Sequence, residues 1–354
     1  MTNSIYIHIP FCKDICSYCD FCKLYKNKIF VKSYLDELEK EIKKYYQKDI
    51  IKTLYIGGGT PSSLNITELK KLFKIIDIFK LFKNCEFTFE CNINDINEKL
   101  LLFLKNNKVN RLSIGVQSFN KNLLNVMNRK YCNVKEKIKV AKKYFSNINV
   151  DLIYGINGET IASLKDDLDN FLSLDINHIS IYSLILEENT LLKVNNYVEI
   201  DDEENRKMYD YIRKYLKKHG FLQYEISNFC KAGYFSKHNL VYWNNLEYYG
   251  FGLGASGFLN NIRYTNTRSL NNYLKGNYRI EEYSVSLKEN MENFMILGLR
   301  KIKGVSKKDF YNRYNKKIDE VFNVEKLKEN KNNFYISKKD LFVENSILVD
   351  FIDI

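Results

Sequence analysis

Long apolar runs are missing from the 354 residues of this chain. A transmembrane helix needs about 18–20 consecutive apolar residues, and no stretch approaches that length. The apolar run at residues 5–7 is too short for a secretory signal and leads almost directly into cysteines. We therefore expect a cytoplasmic protein without a transmembrane segment, in which the cysteines stay reduced.

Histidine, proline and glycine are also scarce, with four, two and 15 residues respectively. None of the histidines is paired at metal-ligand spacing, which leaves few partners for a structural zinc ion. In a chain with so few prolines and glycines, those that remain mark segments of interest. Pro10 comes just before the first cysteines, and Pro61 follows three consecutive glycines.

The charge balance disfavours a nucleic-acid partner. Lysine and arginine outnumber aspartate and glutamate by 55 to 43, for a net charge of +12. The lysines are scattered over helix-like segments, whereas a nucleic-acid binder concentrates them in a stripe. The mild excess of positive charge suits an anionic small molecule instead.

Short β-rich runs alternate with longer amphipathic segments along the first two thirds of the chain. Asn65 and Glu68 form a capping-box signature at the start of one predicted helix. Six strand–helix repeats predict an α/β fold, a partial (β/α)6 barrel with right-handed crossovers and room at its open side for a large ligand. The predicted strands are 4–8, 53–57, 86–91, 111–117, 149–154 and 178–184.

The alternation of strand and helix patterns ends at about residue 225. After it, an aromatic- and glycine-rich segment is followed by helical patterns. We therefore divide the chain into a barrel domain, residues 1–225, and a smaller C-terminal α+β domain, residues 226–354. The C-terminal end is expected to be helical, with a winged-helix arrangement as one option. Runs 333–336 and 347–351 are predicted to pair as a small hairpin.

Four cysteines are crowded into residues 12–22, with the spacing Cx3Cx2C followed by Cys22. A zinc knuckle that uses all four is one interpretation, but no second ligand pair occurs elsewhere in the chain. Three close cysteines without a fourth ligand suit a 4Fe–4S cubane in which one iron stays open. The predicted cluster ligands are Cys12, Cys16 and Cys19.

This segment, with an aromatic residue before the third cysteine, resembles the radical S-adenosylmethionine superfamily. The resemblance implies that the open iron chelates the amino and carboxylate groups of S-adenosylmethionine. It further implies that the reduced cluster cleaves this cofactor to a 5′-deoxyadenosyl radical.

Polar residues lie at the ends of the later predicted strands, where barrel proteins form their sites. Each alone could be a satisfied group inside the barrel, but together they indicate a ligand cradle. With residues 6–12, the GGGTPS and IGVQSF runs and DLIYG, they resemble the coproporphyrinogen III oxidase-like branch. That resemblance implies that Tyr6 lies beside the cluster. It also implies that S-adenosylmethionine contacts Gly58, Gly59, Thr60, Glu90, Gln117, Arg129, Asp151 and Ile185.

Two subfamilies of this branch are candidates for this sequence. The oxygen-independent coproporphyrinogen III dehydrogenases carry a Cx3Cx2CxC run and an N-terminal arm, and neither pattern matches here. The HemW-type haem chaperones are similar in the Cys19-Asp20-Phe21 run and in an HNxxYW segment that starts at His238. The imidazole of His238 can ligate haem iron, and Tyr242 and Trp243 can pack on a porphyrin. A buried histidine and a core tryptophan are the plainer interpretation.

We therefore predict a haem chaperone that binds haem, a 4Fe–4S cluster and S-adenosylmethionine, and transfers haem to an acceptor protein. The acceptor is not identified by the sequence, a membrane-associated protein being one option. The alternatives are coproporphyrinogen III dehydrogenase and, more remotely, a radical methylating or porphyrin-ring-opening enzyme. Whether the chain is an enzyme stays open, but dehydrogenase activity is not expected.

Overall fold

The computed structural model describes residues 2–352, and one large sheet organises most of them. Its six central strands are parallel and follow one another in sequence order. Each of the six overlaps a predicted strand, although the third begins six residues before its predicted start at residue 86, so the predicted α/β barrel is confirmed. They are β1 (Ser4–Ile9), β2 (Ile50–Gly58), β3 (Lys80–Asn92), β4 (Arg111–Gln117), β5 (Ile148–Tyr154) and β6 (His178–Ser183).

Helices connect these strands and pack on the outer face of the sheet. The predicted capping box is present at the start of α2, where the Asn65 side chain accepts from the amide of Glu68. The same helix buries Leu69, Leu72 and Phe73, at helical spacing. The helices are α1 (Lys28–Tyr45), α2 (Ile66–Ile76), α3 (Glu98–Asn106), α4 (Lys121–Val126), α5 (Val134–Lys142), α6 (Ile161–Ser173), α7 (Leu191–Val194) and α8 (Asp202–Lys218).

Alternation along each strand separates an apolar face from a polar one. In β4, Leu112 and Ile114 are fully buried in the apolar core, while Arg111, Ser113 and Gln117 face a cavity on the other side. The inner face of the barrel is therefore polar, and the helices cover the apolar face.

The sheet continues beyond residue 225. Asn228–Cys230 pairs antiparallel with β6, and Tyr249–Phe251 pairs parallel with β1. The division at residue 225 stays a prediction, but the barrel sheet does not end there. These last elements are β7 (Leu222–Gln223), β8 (Asn228–Cys230), α9 (Lys237–Trp243) and β9 (Tyr249–Phe251), and the sheet order is β9-β1-β2-β3-β4-β5-β6-β8-β7.

Two small antiparallel sheets and five α-helices follow Phe251. The sheets are β10 (Ser256–Leu259), β11 (Ile262–Asn266) and β12 (Arg279–Ser284), and then β13 (Val305–Ser306), β14 (Lys328–Glu329) and β15 (Asn333–Tyr335). The helices are α10 (Leu270–Leu274), α11 (Leu287–Leu299), α12 (Lys307–Tyr314), α13 (Ile318–Val321) and α14 (Glu344–Leu348).

The predicted hairpin of runs 333–336 and 347–351 is wrong. β15 pairs with β13 and β14 instead, and residues 347–351 are helical. Short apolar runs of this kind do not distinguish a strand from a helix by periodicity. Within residues 2–352, none of the helices combines the length and apolar character needed to cross a membrane.

Candidate functional site

A cavity of about 520 Å³ opens at the carboxyl ends of the parallel strands, beneath the cysteine loop. Sites form at this edge because the strand-to-helix loops converge there. The structure brings eleven predicted site residues to its walls: Cys12, Cys16, Cys19, Gly58, Gly59, Thr60, Glu90, Gln117, Arg129, Asp151 and Ile185. Tyr6 and His238 are not among the residues that line it.

The three predicted ligand cysteines are unpaired and border the cavity. The hydroxyl of Thr60 donates to Cys12 Sγ at 3.3 Å, and Nη1 of Arg129 donates to Cys16 Sγ at 3.5 Å. Burial raises the pKa of Cys12 to about 11, and burial likewise raises the pKa of Cys19. Thiols with raised pKa values are protonated at neutral pH, so metal binding by Cys12 and Cys19 would release protons.

Cys22 lies apart from these three. Its side chain is buried against Gly254, and its sulfur is 3.9 Å from the carbonyl oxygen of Arg268. It does not border the cavity. Of the four cysteines within residues 12–22, three therefore face the site.

The glycine run after β2 passes close to the cysteine loop. A Cβ on Gly59 would lie 2.7 Å from the carbonyl oxygen of Pro10 and 3.0 Å from Cys12 Sγ. Gly58 has a φ of 116°, and a Cβ there would lie 2.7 Å from the ring of His8. Only glycine fits this approach without displacing its neighbours. A side chain at residue 59 would therefore disturb the cysteine loop as well as the cavity.

Glu90 fastens this glycine turn from the neighbouring strand. Its Oε2 accepts from the amide of Gly58 at 3.0 Å, and its Oε1 accepts from the hydroxyl of Tyr55 at 2.6 Å. Burial raises the pKa of Glu90 to about 7, although the hydrogen bond from Tyr55 opposes this rise. The carboxyl group can therefore change charge near neutral pH.

The remaining polar wall is held by side-chain hydrogen bonds. Asp151 accepts from Nδ2 of Asn149 at 2.7 Å and from the hydroxyl of Ser113 at 3.2 Å. Burial raises the pKa of Asp151. Arg129 donates to the carbonyl oxygen of Gly115 at 2.7 Å, which positions it beside Cys16. Ile185 lies at the rim with 65% of its surface exposed.

Tyr6 lies on β1 below the glycine turn rather than on the cavity wall. Its hydroxyl is 3.0 Å from Nδ1 of His8, and its ring packs against Tyr55 with centroids 6.1 Å apart. The expected position beside the cluster stays a prediction.

His238 lies in the first turn of α9, is buried, and has protein partners at both ring nitrogens. Nδ1 is 2.8 Å from the hydroxyl of Thr53, and Nε2 is 2.7 Å from the hydroxyl of Tyr242. The ring stacks on Tyr55 at a centroid distance of 5.2 Å. Burial lowers the pKa of His238 to about 3, so the ring is neutral. Iron ligation would require one of these hydrogen bonds to break.

Trp243, at the other end of α9, packs against the C-terminal elements. The guanidinium of Arg300 lies 5.0 Å from its ring centroid. Its indole Nε1 is buried and has no hydrogen-bond partner within residues 2–352. The HNxxYW segment is thus a helix packed between the sheet and the C-terminal part of the chain.

Sequence reasoning missed several residues of the cavity wall. Tyr55, Arg111 and Tyr182 line the site, as does Asn239 from α9. Inward positions on predicted strands could have identified the first three, since alternate residues of β2, β4 and β6 share the inner face. Nothing in the local sequence indicates that Asn239 reaches the barrel.

The donor set fits an iron–sulfur cluster better than a single metal ion. Within residues 2–352, no three His, Cys, Asp or Glu side chains are close enough to hold one ion. The three cysteines instead surround one end of a cavity, as a cubane with separate iron corners requires. The glycine turn and the polar wall leave space beside them for a zwitterionic ligand.

Comparison with known proteins identifies two family regions. Residues 6–171 match the model described as Radical SAM superfamily, and residues 285–335 match the HemN C-terminal domain. "Heme chaperone HemW" of Lactococcus lactis is 38% identical over 99% of this chain and 97% of its own length. The Bacillus subtilis protein of that name is 41% identical, over 90% of this chain and 89% of its own length. The Escherichia coli protein of that name is 30% identical, over 87% of this chain and 85% of its own length.

Among solved structures, coproporphyrinogen III oxidase (HemN) from Escherichia coli matches 99% of this chain and 90% of its own chain, with a TM-score of 0.87. The sequence identity is 19%, so this likeness concerns the fold. It covers the C-terminal elements as well as the barrel.

Proposed function

Because this chain belongs to the HemW family of radical S-adenosylmethionine proteins, we propose that it is a haem chaperone. In this proposal it binds haem, a 4Fe–4S cluster and S-adenosylmethionine in the cytoplasm and passes haem to an acceptor protein. The haem assignment rests on relatives that carry the name haem chaperone and align with nearly the whole chain.

The observation that supports the cofactor part is the single cavity shared by three unpaired cysteines and a glycine-lined turn. Cys12, Cys16 and Cys19 would hold three irons. When bound, the cluster supplies an iron with an open coordination position and one-electron chemistry.

The cradle residues have separate roles toward S-adenosylmethionine. Gly58, Gly59 and Thr60 would approach its methionyl end, since their side chains are absent or small. Glu90 would attract its positive charges once ionised, while Gln117, Arg129 and Asp151 would contact the rest of the molecule. Ile185 would contribute through its backbone at the rim.

The haem site is proposed at the HNxxYW segment. Tyr242 or Thr53 must release His238 before the imidazole can reach an iron, because both ring nitrogens are hydrogen bonded. Haem contact through His238 is therefore coupled to a local opening of α9.

Coproporphyrinogen III dehydrogenase is not favoured by any observation on this chain. The likeness to the Escherichia coli oxidase, at 19% identity, shows a common fold and not a common reaction. Anaerobically purified, cluster-loaded protein should be given haem and, separately, coproporphyrinogen with reductant and S-adenosylmethionine. We expect haem binding with the absorption spectrum of a ligated iron and no protoporphyrinogen. Robust decarboxylation by the pure protein would contradict the proposal.

A further inference from the structure

Arg111 is a buried cation with an unpartnered guanidinium nitrogen among the described residues. It is the first residue of β4, is 2% exposed, and borders the cavity. Its Nε is buried and donates to no partner within residues 2–352. Other arginines of the chain make ion pairs with carboxylates, namely Arg213, Arg268, Arg279 and Arg300.

Two buried carboxylates of the cavity wall are hydrogen bonded to other residues. Glu90 accepts from Tyr55 and Gly58, and Asp151 accepts from Asn149 and Ser113. The charge of Arg111 favours their ionised forms, yet burial still raises the pKa of both. A guanidinium in such surroundings normally has a hydrogen-bonded anion, because an unpaired buried charge is costly.

The position of Arg111 separates it from the predicted cofactor cradle. Gln117 lies at the carboxyl end of β4 and Arg111 at its start, six residues earlier. At about 3.3 Å per residue, their Cα atoms are about 20 Å apart along the strand. Ser113, Asn149 and Ser180 line the wall and share hydrogen bonds. The deep part of the cavity is therefore polar, and its cation is Arg111.

We propose that Arg111 binds a ligand carboxylate that reaches the deep part of this cavity. A guanidinium presents several donors in one plane, which matches the two oxygens of a carboxylate. Under the proposed function, on which this inference rests, a propionate of haem is that carboxylate. The methionyl carboxylate of S-adenosylmethionine is expected at the open iron beside the glycine turn, at the other end of the strand from Arg111.

Esterification tests this directly. Haem is compared with its dimethyl ester, and S-adenosylmethionine with its methyl ester, by titration of the wild-type protein, Arg111→Gln and Arg111→Lys. We expect the wild type to prefer haem over its dimethyl ester by about 10- to 100-fold, the range of a hydrogen bond to a charged group. Arg111→Gln should abolish that preference, and Arg111→Lys should keep part of it.

Arg263→Gln is the matched control. Arg263 also has a buried Nε without a partner, but it lies on β11 and does not border the cavity. This variant should keep the wild-type preference. Any preference for S-adenosylmethionine over its methyl ester should persist in Arg111→Gln, because the methionyl carboxylate is expected at the cluster.

Equal binding of haem and its dimethyl ester by the wild type would overturn the inference without any variant. A preference for free haem that persists in Arg111→Gln would overturn it too. A wild-type protein that binds neither form of haem contradicts the haem-chaperone proposal itself.

Discussion

The cysteine loop and the HNxxYW helix are both recognised from short motifs, but their side chains have opposite surroundings. Cys12, Cys16 and Cys19 border an open cavity, and their sulfurs have few protein partners. His238 is buried, and both of its ring nitrogens are bonded to the protein. The cysteine side chains can bind a ligand in the cavity without breaking protein contacts. The His238 side chain stabilises the fold through its hydrogen bonds, and these must break before it can bind a ligand.

The two regions are also connected. His238 stacks on Tyr55, the hydroxyl of Tyr55 donates to Glu90, and Glu90 accepts from the amide of Gly58. The proposed haem segment therefore supports the glycine turn of the proposed cofactor cradle. Variants of His238 that weaken haem binding should be examined for effects on S-adenosylmethionine as well.

The largest expected effect is at the cysteine loop. Replacing Cys12, Cys16 or Cys19 by alanine should abolish the cluster, because a cubane with two protein ligands is poorly held. Iron content and the visible absorption of anaerobically purified protein measure this.

Cys22→Ala is the matched control, since its sulfur lies against Gly254 and does not border the cavity. It should keep a cluster of about four irons. Zinc instead of iron in the purified protein would contradict the cluster assignment. Loss of the cluster in Cys22→Ala alone would contradict the assignment of Cys12, Cys16 and Cys19 as its ligands.

The next effect is expected at the helix. His238→Ala should lower the free energy of unfolding by about 2–4 kcal/mol, because it leaves a cavity and removes partners of Thr53 and Tyr242. Chemical denaturation followed by circular dichroism measures this, with His219→Ala, an exposed histidine, as control. Haem titration of the same variants should show weaker binding only for His238→Ala. Unchanged stability would mean that the helix is less important to the fold than its contacts indicate.

A smaller effect is expected at the cavity wall. Asp151→Ala should weaken S-adenosylmethionine binding by about 1–3 kcal/mol if a buried hydrogen bond to the ligand is lost. Calorimetry of the cluster-loaded protein measures the affinity. Asp169→Ala, on the exposed face of α6, is the control. Equal affinities in wild type and Asp151→Ala would place the cradle elsewhere.

The strands and the capping box could be predicted because their signals are local. Alternation identified β4 as Arg111–Gln117, and the Asn65–Glu68 spacing identified the start of α2. The cysteine spacing likewise lies within eight residues, from Cys12 to Cys19. Such patterns depend on chain geometry that acts over one or two turns.

The surroundings of His238 could not be predicted, because its partner Thr53 lies 185 residues away. The same holds for Cys22, whose contact with Arg268 spans 246 residues. β9 is only three residues long, too short for a periodic signal, although it extends the barrel sheet. Contacts of this kind depend on the assembled fold.

The smallest expected effect is a pH dependence carried by Glu90. The pKa of this carboxyl is about 7, compared with 4.5 for an ordinary glutamate, chiefly because it is buried. S-adenosylmethionine carries positive charge at its sulfonium and amino groups. The ionised carboxylate should therefore bind it better than the protonated acid. We expect affinity to rise by about 3- to 10-fold between about pH 6 and pH 8 in the wild type and to stay flat in Glu90→Gln.

The stability of the ligand-free protein should change in the opposite direction. Because the folded pKa of Glu90 is raised, its contribution to stability is present below pH 4.5 and is lost as the pH rises through about 7. Glu41, Glu159 and Glu225 have pKa values raised to about 7 as well, so the wild-type curve alone is not specific. The difference in unfolding free energy between wild type and Glu90→Gln isolates the one carboxyl. If that difference stays constant from about pH 5 to pH 8, Glu90 does not titrate in this range and cannot link cofactor affinity to pH.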